Sequence, residues 1–587
     1  MKRWDFVAVA GELPARAHLL DRYGIERKAA EDGLSHAIEL RSCTLLHSPG
    51  APCLLLAPDR GAILGQLFRS GSDSRERLEL LGDEETGAIL ADGGRNLIDH
   101  HWGAYVALLC PGSPDDLRVL RDPSGGVHVY HCQRDGTQLY ASDPGLLVRL
   151  GLADKALDPE FRRQWLLYRH LRTARTGLLE IEELLPGTCR ASGPRGADVE
   201  TVWSPWPFVQ RSRELGEFSE AASSLRSTIL RTVPACAAGA DRVLLELSGG
   251  LDSSIVASAL GNVRTRFASV NFATNASDGD ERRYARMIAA VTGSPLREVL
   301  QQERPSKYLR VPSPRIRPGL SPVLEPIHEA FAGIADEQEA DLFMSGAGGD
   351  SVFCYLTTAA PVLDAARRRG PLAALVALGE VASLCSSNVW TVARYALRKA
   401  TRFRRRPLWP RETSFLTREA SEAAPDPHPW LDAPRNALPG KREHVEAIVA
   451  IHYFLDRGFR GRDAIVSYPL LAQPIVELCL RIPTWLWVRQ GRNRSVARAA
   501  FEGLVPAEIL SRGGKGRLES MCAEAYTECR PQLRELLLDG RLISDGLIER
   551  SSVEAYLRRL PERDDPRYFR IFDLATLELW QRSWEQG

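Results

Sequence analysis

A chain of 587 residues is too long for one hydrophobic core, so two or more domains are expected. Apolar residues at 44% and charged residues at 26% exclude a wholly disordered chain. With 76 Lys plus Arg against 75 Asp plus Glu, the net charge of +1 supplies no global field toward nucleic acid or an anionic membrane.

At the N-terminus, Phe6-Val7-Ala8-Val9-Ala10 stops at Gly11-Glu12, a strand-sized run and not a signal-peptide core. No stretch approaches about 18 uncharged apolar residues, so no membrane span is expected. The 11 cysteines form no Cys-x-x-Cys pair and have no histidine at metal spacing, which predicts free thiols in a reducing cytoplasm. Further short runs follow at Cys53-Leu54-Leu55-Leu56-Ala57, at 102–109 and at Val127-His128-Val129-Tyr130. Turn signals such as Arg134-Asp135-Gly136 separate them, so a sheet-rich first domain is predicted over residues 1–207. Trp203-Ser204-Pro205-Trp206-Pro207 reads as a stiff linker.

From residue 208 to 587 the pattern changes. Glu217 to Val233 has helical periodicity, and Val243-Leu244-Leu245-Glu246-Leu247 is a buried-strand run. A helix follows from about Ser253, a second strand spans Phe267 to Asn271, a helix begins near Asp280, and a third strand is read at Asp341 to Met344. Strands alternating with helices predict a parallel α/β sheet with its site at the carboxyl ends of the strands. Beyond about 360 the chain is predicted mostly helical. Residues 402–407 and the Pro-rich stretch Ala424 to Pro439 read as solvated surface loops.

The chemistry concentrates in Leu247-Ser248-Gly249-Gly250-Leu251-Asp252-Ser253-Ser254, which follows a buried strand and opens a helix. Its glycines permit a sharp turn and close backbone approach, and its amides and hydroxyls form an anion cradle. A carboxylate at Asp252 inside such a cradle makes sense if it holds Mg²⁺. Ser345-Gly346-Ala347-Gly348-Gly349-Asp350 repeats the arrangement after another strand, so Asp350 is expected to face Asp252 as a second carboxylate and share its metal. Farther on, Arg494 to Gly503 leads to Arg512-Gly513-Gly514-Lys515-Gly516, where a lysine among glycines can put a point charge on phosphate or a developing oxyanion.

The octet resembles the SGGxDS loop of the ATP pyrophosphatases. In order, the three elements resemble the class B asparagine synthetase superfamily, along almost the whole chain. At the N-terminus, Leu64-Gly65-Gln66-Leu67-Phe68, Trp102 to Ala107, Arg121 to Gly126 and Leu185-Pro186-Gly187-Thr188 look like its glutaminase-type, Ntn-like sandwich. The resemblance implies two domains, with an ATP-pyrophosphatase α/β sheet and added helices in the second. It implies ATP bound by Leu247, Ser248, Gly249, Gly250, Asp252, Ser253 and Ser254, and Mg²⁺ on Asp252 and Asp350. Val270, Ser345 and Gly346 would lie near the adenosine, and Lys515 near the reacting phosphate.

Two departures narrow the reading. Glutamine-using relatives place a nucleophilic cysteine at position 2, where this chain has Lys2, and its nearest cysteine is Cys43. The first domain is therefore expected to be catalytically silent. Ala347 stands where β-lactam-forming relatives carry a tyrosine and asparagine synthetases a glutamate, and a methyl group cannot take a proton. The 345–350 loop, followed by Val352-Phe353-Cys354, and Asp280 to Tyr284 most resemble the lasso-peptide cyclases. These join a precursor's N-terminal amine to an Asp or Glu side chain, and they imply a precursor peptide, a leader-peptide protease and a leader-binding protein as partners. An α-amine with a pKa of about 7.7–8.0 needs little help from a base. His328 is the one candidate base, with a structural role as the competing reading. The alternatives are an asparagine or β-lactam synthetase relative acting on a small molecule, and a non-catalytic peptide-binding scaffold.

Overall fold

The structure is a computed structural model and describes every residue except 1–3, 73, 194–195, 264, 274–279, 301–308, 320, 403–406, 456–463, 515–518, 560–564 and 587. The first 200 residues form two six-stranded antiparallel sheets packed face to face. Strand alternation explains the layering. In Phe6–Ala10, Phe6, Ala8 and Ala10 point into the core between the sheets, while Val7 and Val9 point outward under helices that supply Leu19, Ile25, Leu146 and Leu147. The second sheet does the same: Leu64, Val106 and Leu108 face inward, and Ile63, Tyr105 and Leu109 face outward. That outer layer is continuous with the core of the second half, so apolar packing runs unbroken between the two. The strand expected from Val127 begins only at Tyr130 and runs to Arg134.

The second half is built on a five-stranded sheet, all parallel, in the spatial order Leu296–Leu300, Phe267–Ala273, Val243–Glu246, Leu342–Ser345, Ile465–Ser467. The strand read as third is thus fourth in chain order. The strand before it in sequence, Leu296–Leu300, is a largely exposed edge and lacks a buried strand's apolar run. Chain order reverses between Val243–Glu246 and Leu342–Ser345, which opens a crevice at their carboxyl ends. Helices dominate after residue 360, as expected. No single helix among the described residues is long and apolar enough to cross a membrane. All 11 cysteines are free, and only Cys385 is exposed.

Two expectations are corrected by burial. The linker-like Trp203–Pro207 segment is core: the Trp203 indole donates to Glu477 Oε1 (2.8 Å) and the Trp206 indole to the Trp430 carbonyl (3.0 Å). The stretch Ala424 to Pro439 likewise carries buried His428, Trp430 and Leu431, with the Trp430 ring edge-on to Trp203 at 5.0 Å. Proline and tryptophan stiffen these segments, but their aromatic area is large enough to be worth burying. Most of 402–407 lies outside the described residues.

A buried ion cluster joins the halves. Glu183 accepts from Arg121 Nη1 (2.6 Å) and Arg172 Nη2 (2.7 Å) and pairs as an ion with Arg317 Nη1 (2.8 Å), and all four side chains are at most 3% exposed. Burial alone would raise the Glu183 pKa, but the three guanidiniums outweigh it and hold the carboxyl well below its usual range. The C-terminal helix Arg567–Gln586 adds a second seam. Arg570 Nη2 donates to the Leu166 carbonyl (2.7 Å), and Trp580 meets Phe161 at 5.7 Å between rings, both on the helix Pro159–Leu167.

Glu183→Gln should destabilise the protein by about 3–5 kcal/mol, because it strands three buried cations; chemical denaturation measures the loss. Since the folded pKa is depressed, the wild-type contribution should be complete above the unfolded glutamate's pKa of about 4.3 and disappear as pH falls below it.

Candidate active site

The octet loop leaves the central strand Val243–Glu246 and enters the helix Leu251–Asn262. Gly249 adopts φ +75°, and a Cβ there would meet the Ala285 nitrogen at 2.6 Å, so only glycine fits. Hydroxyls then fix the turn: Ser248 Oγ lies 3.1 Å from Ser253 Oγ and accepts from the Gly250 amide (3.3 Å). Asn271 Nδ2 donates to the Leu247 carbonyl (2.8 Å) and ties the loop to the neighbouring strand. Leu247, Ser253 and Ser254 are buried. Val270 pairs with Glu246, and its side chain packs in the core, so it presents no side chain to the crevice.

The second glycine loop interlocks with the first. A Cβ on Gly346 would sit 2.6 Å from the Ser253 amide nitrogen, and one on Gly349 would sit 2.6 Å from the Asp252 Cβ. Ser345 Oγ donates to Glu246 Oε2 (2.7 Å) and accepts from the Ala347 amide (3.1 Å). This close approach brings Asp350 beside Asp252. His328 is buried in the helix Glu325–Glu337.

A residue with no role assigned from sequence completes the arrangement. Arg494 Nη1 lies 3.0 and 3.1 Å from the two Asp252 oxygens and 2.5 Å from Asp350 Oδ1, and its guanidinium carbon stands 5.3 Å over the Tyr355 ring. Its backbone has φ +51°, an uncommon left-handed conformation for arginine. Both carboxylates therefore converge on one cation position. Among the described residues no group of three or more His, Cys, Asp or Glu could hold a metal ion. The pair offers two oxygen-bearing ligands, which fits Mg²⁺ arriving on substrate phosphates better than a metal caged by protein.

Arg498 and Arg512 fix the described segment that ends at Gly514. Arg498 donates to the Asn493 carbonyl (2.9 Å) and the Arg512 carbonyl (3.1 Å), and burial, with Arg494 nearby, pushes its pKa down to about 10. Arg512 pairs with Glu281 (2.6 Å) and lies over the Tyr284 ring at 4.3 Å, next to the residue that crowds Gly249. Lys515 itself lies outside the described residues, as does Lys2. Cys43 is fully buried in the sandwich, where a hydrogen bond to Cys110 and burial push its thiol well above the usual range. Such a thiol is inert.

Arg494 occupies the point on which both carboxylates converge, so a metal bound there would have to displace its guanidinium. Arg494→Ala should tighten Mn²⁺ binding to the nucleotide-free protein by at least about tenfold; titration calorimetry reads it directly.

Comparison with known proteins bears on this site. The family model described as asparagine synthase matches residues 224–582. The search of curated proteins gives no match. Among solved structures, the chain is similar to the allosteric regulatory enzyme of purine biosynthesis, with 12% identity over 50% of this chain and 80% of that one and a TM-score of 0.23. It is also similar to glutamine phosphoribosylpyrophosphate amidotransferase from B. subtilis, with 12% identity over 58% of this chain and 90% of that one and a TM-score of 0.22. Likeness at that level assigns no residue. The family match covers both glycine loops, both carboxylates and Arg494, and the chain belongs to the asparagine synthase family.

Proposed function

We propose that the protein is an ATP-dependent lasso-peptide cyclase, within a family of ATP-using, amide-forming enzymes. The observation that carries the reading is the convergence of Asp252 and Asp350 on one cation position, between two interlocked glycine loops at the switch point of a parallel sheet. Residues 1–207 act as a glutaminase-like domain without chemistry of its own, and residues 208–587 as the synthetase.

In this reading the amides and hydroxyls of Ser248 to Ser254 hold the phosphates of ATP. Asp252 and Asp350 hold Mg²⁺, which when bound neutralises charge on the pyrophosphate. An Asp or Glu side-chain oxygen of the trimmed peptide attacks the α-phosphorus, and pyrophosphate leaves. The peptide's N-terminal amine then attacks the acyl carbonyl, the amide forms, one proton is released and AMP departs. Lys515 places its ammonium where negative charge grows, and the Arg498–Arg512 clamp sets where its loop begins. Ala347 offers no base, which suits an α-amine that is partly neutral near pH 7.5. The buried, inert Cys43 supports a nucleophile other than glutamine-derived ammonia. Partners of this reading are the precursor peptide, a leader-peptide protease and a leader-binding protein in the cytoplasm.

Incubation with ATP and a leader-trimmed precursor should yield a peptide lighter by one water, with AMP and pyrophosphate formed in step and no glutamate released from added glutamine. Linear peptide with unspent ATP, or stoichiometric glutamate, overturns the assignment; intact-mass analysis and nucleotide chromatography decide. Lys515→Ala should lower kcat by about 10²–10³, with ATP affinity much less affected. Asp350→Asn should suppress peptide-dependent AMP formation by roughly 10-fold to 100-fold or more.

A further inference from the structure

Helices Pro371–Leu384 and Val389–Arg402 form a hairpin bent by 114° at its break. Their inner faces close a small separate core, in which Ala377, Val381, Ala382, Val392 and Ala396 pack on Ala359, Val362 and Ala365. The outer faces are apolar as well. Leu372, Leu375, Val376 and Gly379 recur at the spacing that ordinarily marks a buried stripe, yet Leu372 is 79% exposed and Val376 68%. On the second helix Trp390 is 81% exposed and Leu397 69%. Large apolar residues this exposed on two neighbouring helices point to an interaction site.

Charge indicates what covers it. Between residues 371 and 402, Glu380 is the sole acidic residue, against Arg394, Arg398, Lys399 and Arg402. Glu380 accepts from the Gly491 amide (3.0 Å) and Lys399 pairs with Glu443, so both are engaged with the body of the protein. Arg394 and Arg398 are exposed on the same helix as Trp390 and Leu397. Exposed apolar residues that include a tryptophan, two exposed arginines and one acidic residue already engaged with the protein match a helix pair lying in an anionic lipid interface. A two-fold contact with a second copy would instead bring like-charged arginines together. Each helix has 14 residues, about 21 Å, so neither spans a bilayer core about 30 Å thick, and the sharp bend suits contact from one side.

We propose that this hairpin docks the protein onto anionic lipid headgroups, with Leu372, Leu375, Val376, Trp390 and Leu397 at the headgroup–acyl boundary. The full chain should sediment with vesicles of phosphatidylcholine mixed with phosphatidylglycerol, much less with phosphatidylcholine alone, and progressively less as salt rises. The double variants Leu375→Ser/Trp390→Ser and Arg394→Glu/Arg398→Glu should each lower partitioning by at least about tenfold, with the thermal midpoint unchanged. The proposal is overturned if the wild type stays in solution beside anionic vesicles, or if the serine variant partitions like wild type. It is also overturned if the chain forms a lipid-independent dimer that these substitutions dissolve.

Discussion

Glu183 shares one negative charge among three guanidiniums drawn from distant parts of the chain: Arg121 from a sandwich strand, Arg172 from the segment leaving it, and Arg317 from the second half. The surplus positive charge is spread over carbonyl oxygens, of Leu184 and Gly125 for Arg121, His452 for Arg172, and Thr173 and Arg175 for Arg317. Burial pushes nearby His428 and His452 down to about 3, so neither adds a further cation. Apolar packing between the halves is non-directional; this cluster gives the interface one permitted arrangement.

That fixed arrangement matters because the crevice depends on small tolerances. The two glycine loops approach to distances at which a single methyl group would collide, and the carboxylates meet only because they do. Arg494 links the helix after residue 494 to both loops, so three sequence-distant segments are tied through one nitrogen. The left-handed backbone at Arg494 is strain kept at the point where the charges converge.

Local chemistry made the octet and the 345–350 loop legible, because glycine, hydroxyl and carboxylate types in that spacing serve few purposes. The alternation of strands and helices was legible for the buried strands Val243–Glu246 and Leu342–Ser345. It was not for the exposed edge Leu296–Leu300 or the three-residue edge Ile465–Ser467, where no buried apolar run exists. The segment from Arg494 was singled out but not the role of Arg494 itself, because its partners lie 242 and 144 residues away. Trp203 and Trp430 misled for a related reason: proline marks a break in regular structure and says nothing about whether the segment is buried.

The seam between Pro159–Leu167 and the C-terminal helix has a consequence for how the chain can be divided. The last helix of the polypeptide rests on an early one, so the second half completes its own packing only with the first half present. Deleting the first half would expose the apolar layer behind Tyr105 and Leu109 and release Arg317 into a void, so a truncated second half would lose packing and its charge partner together.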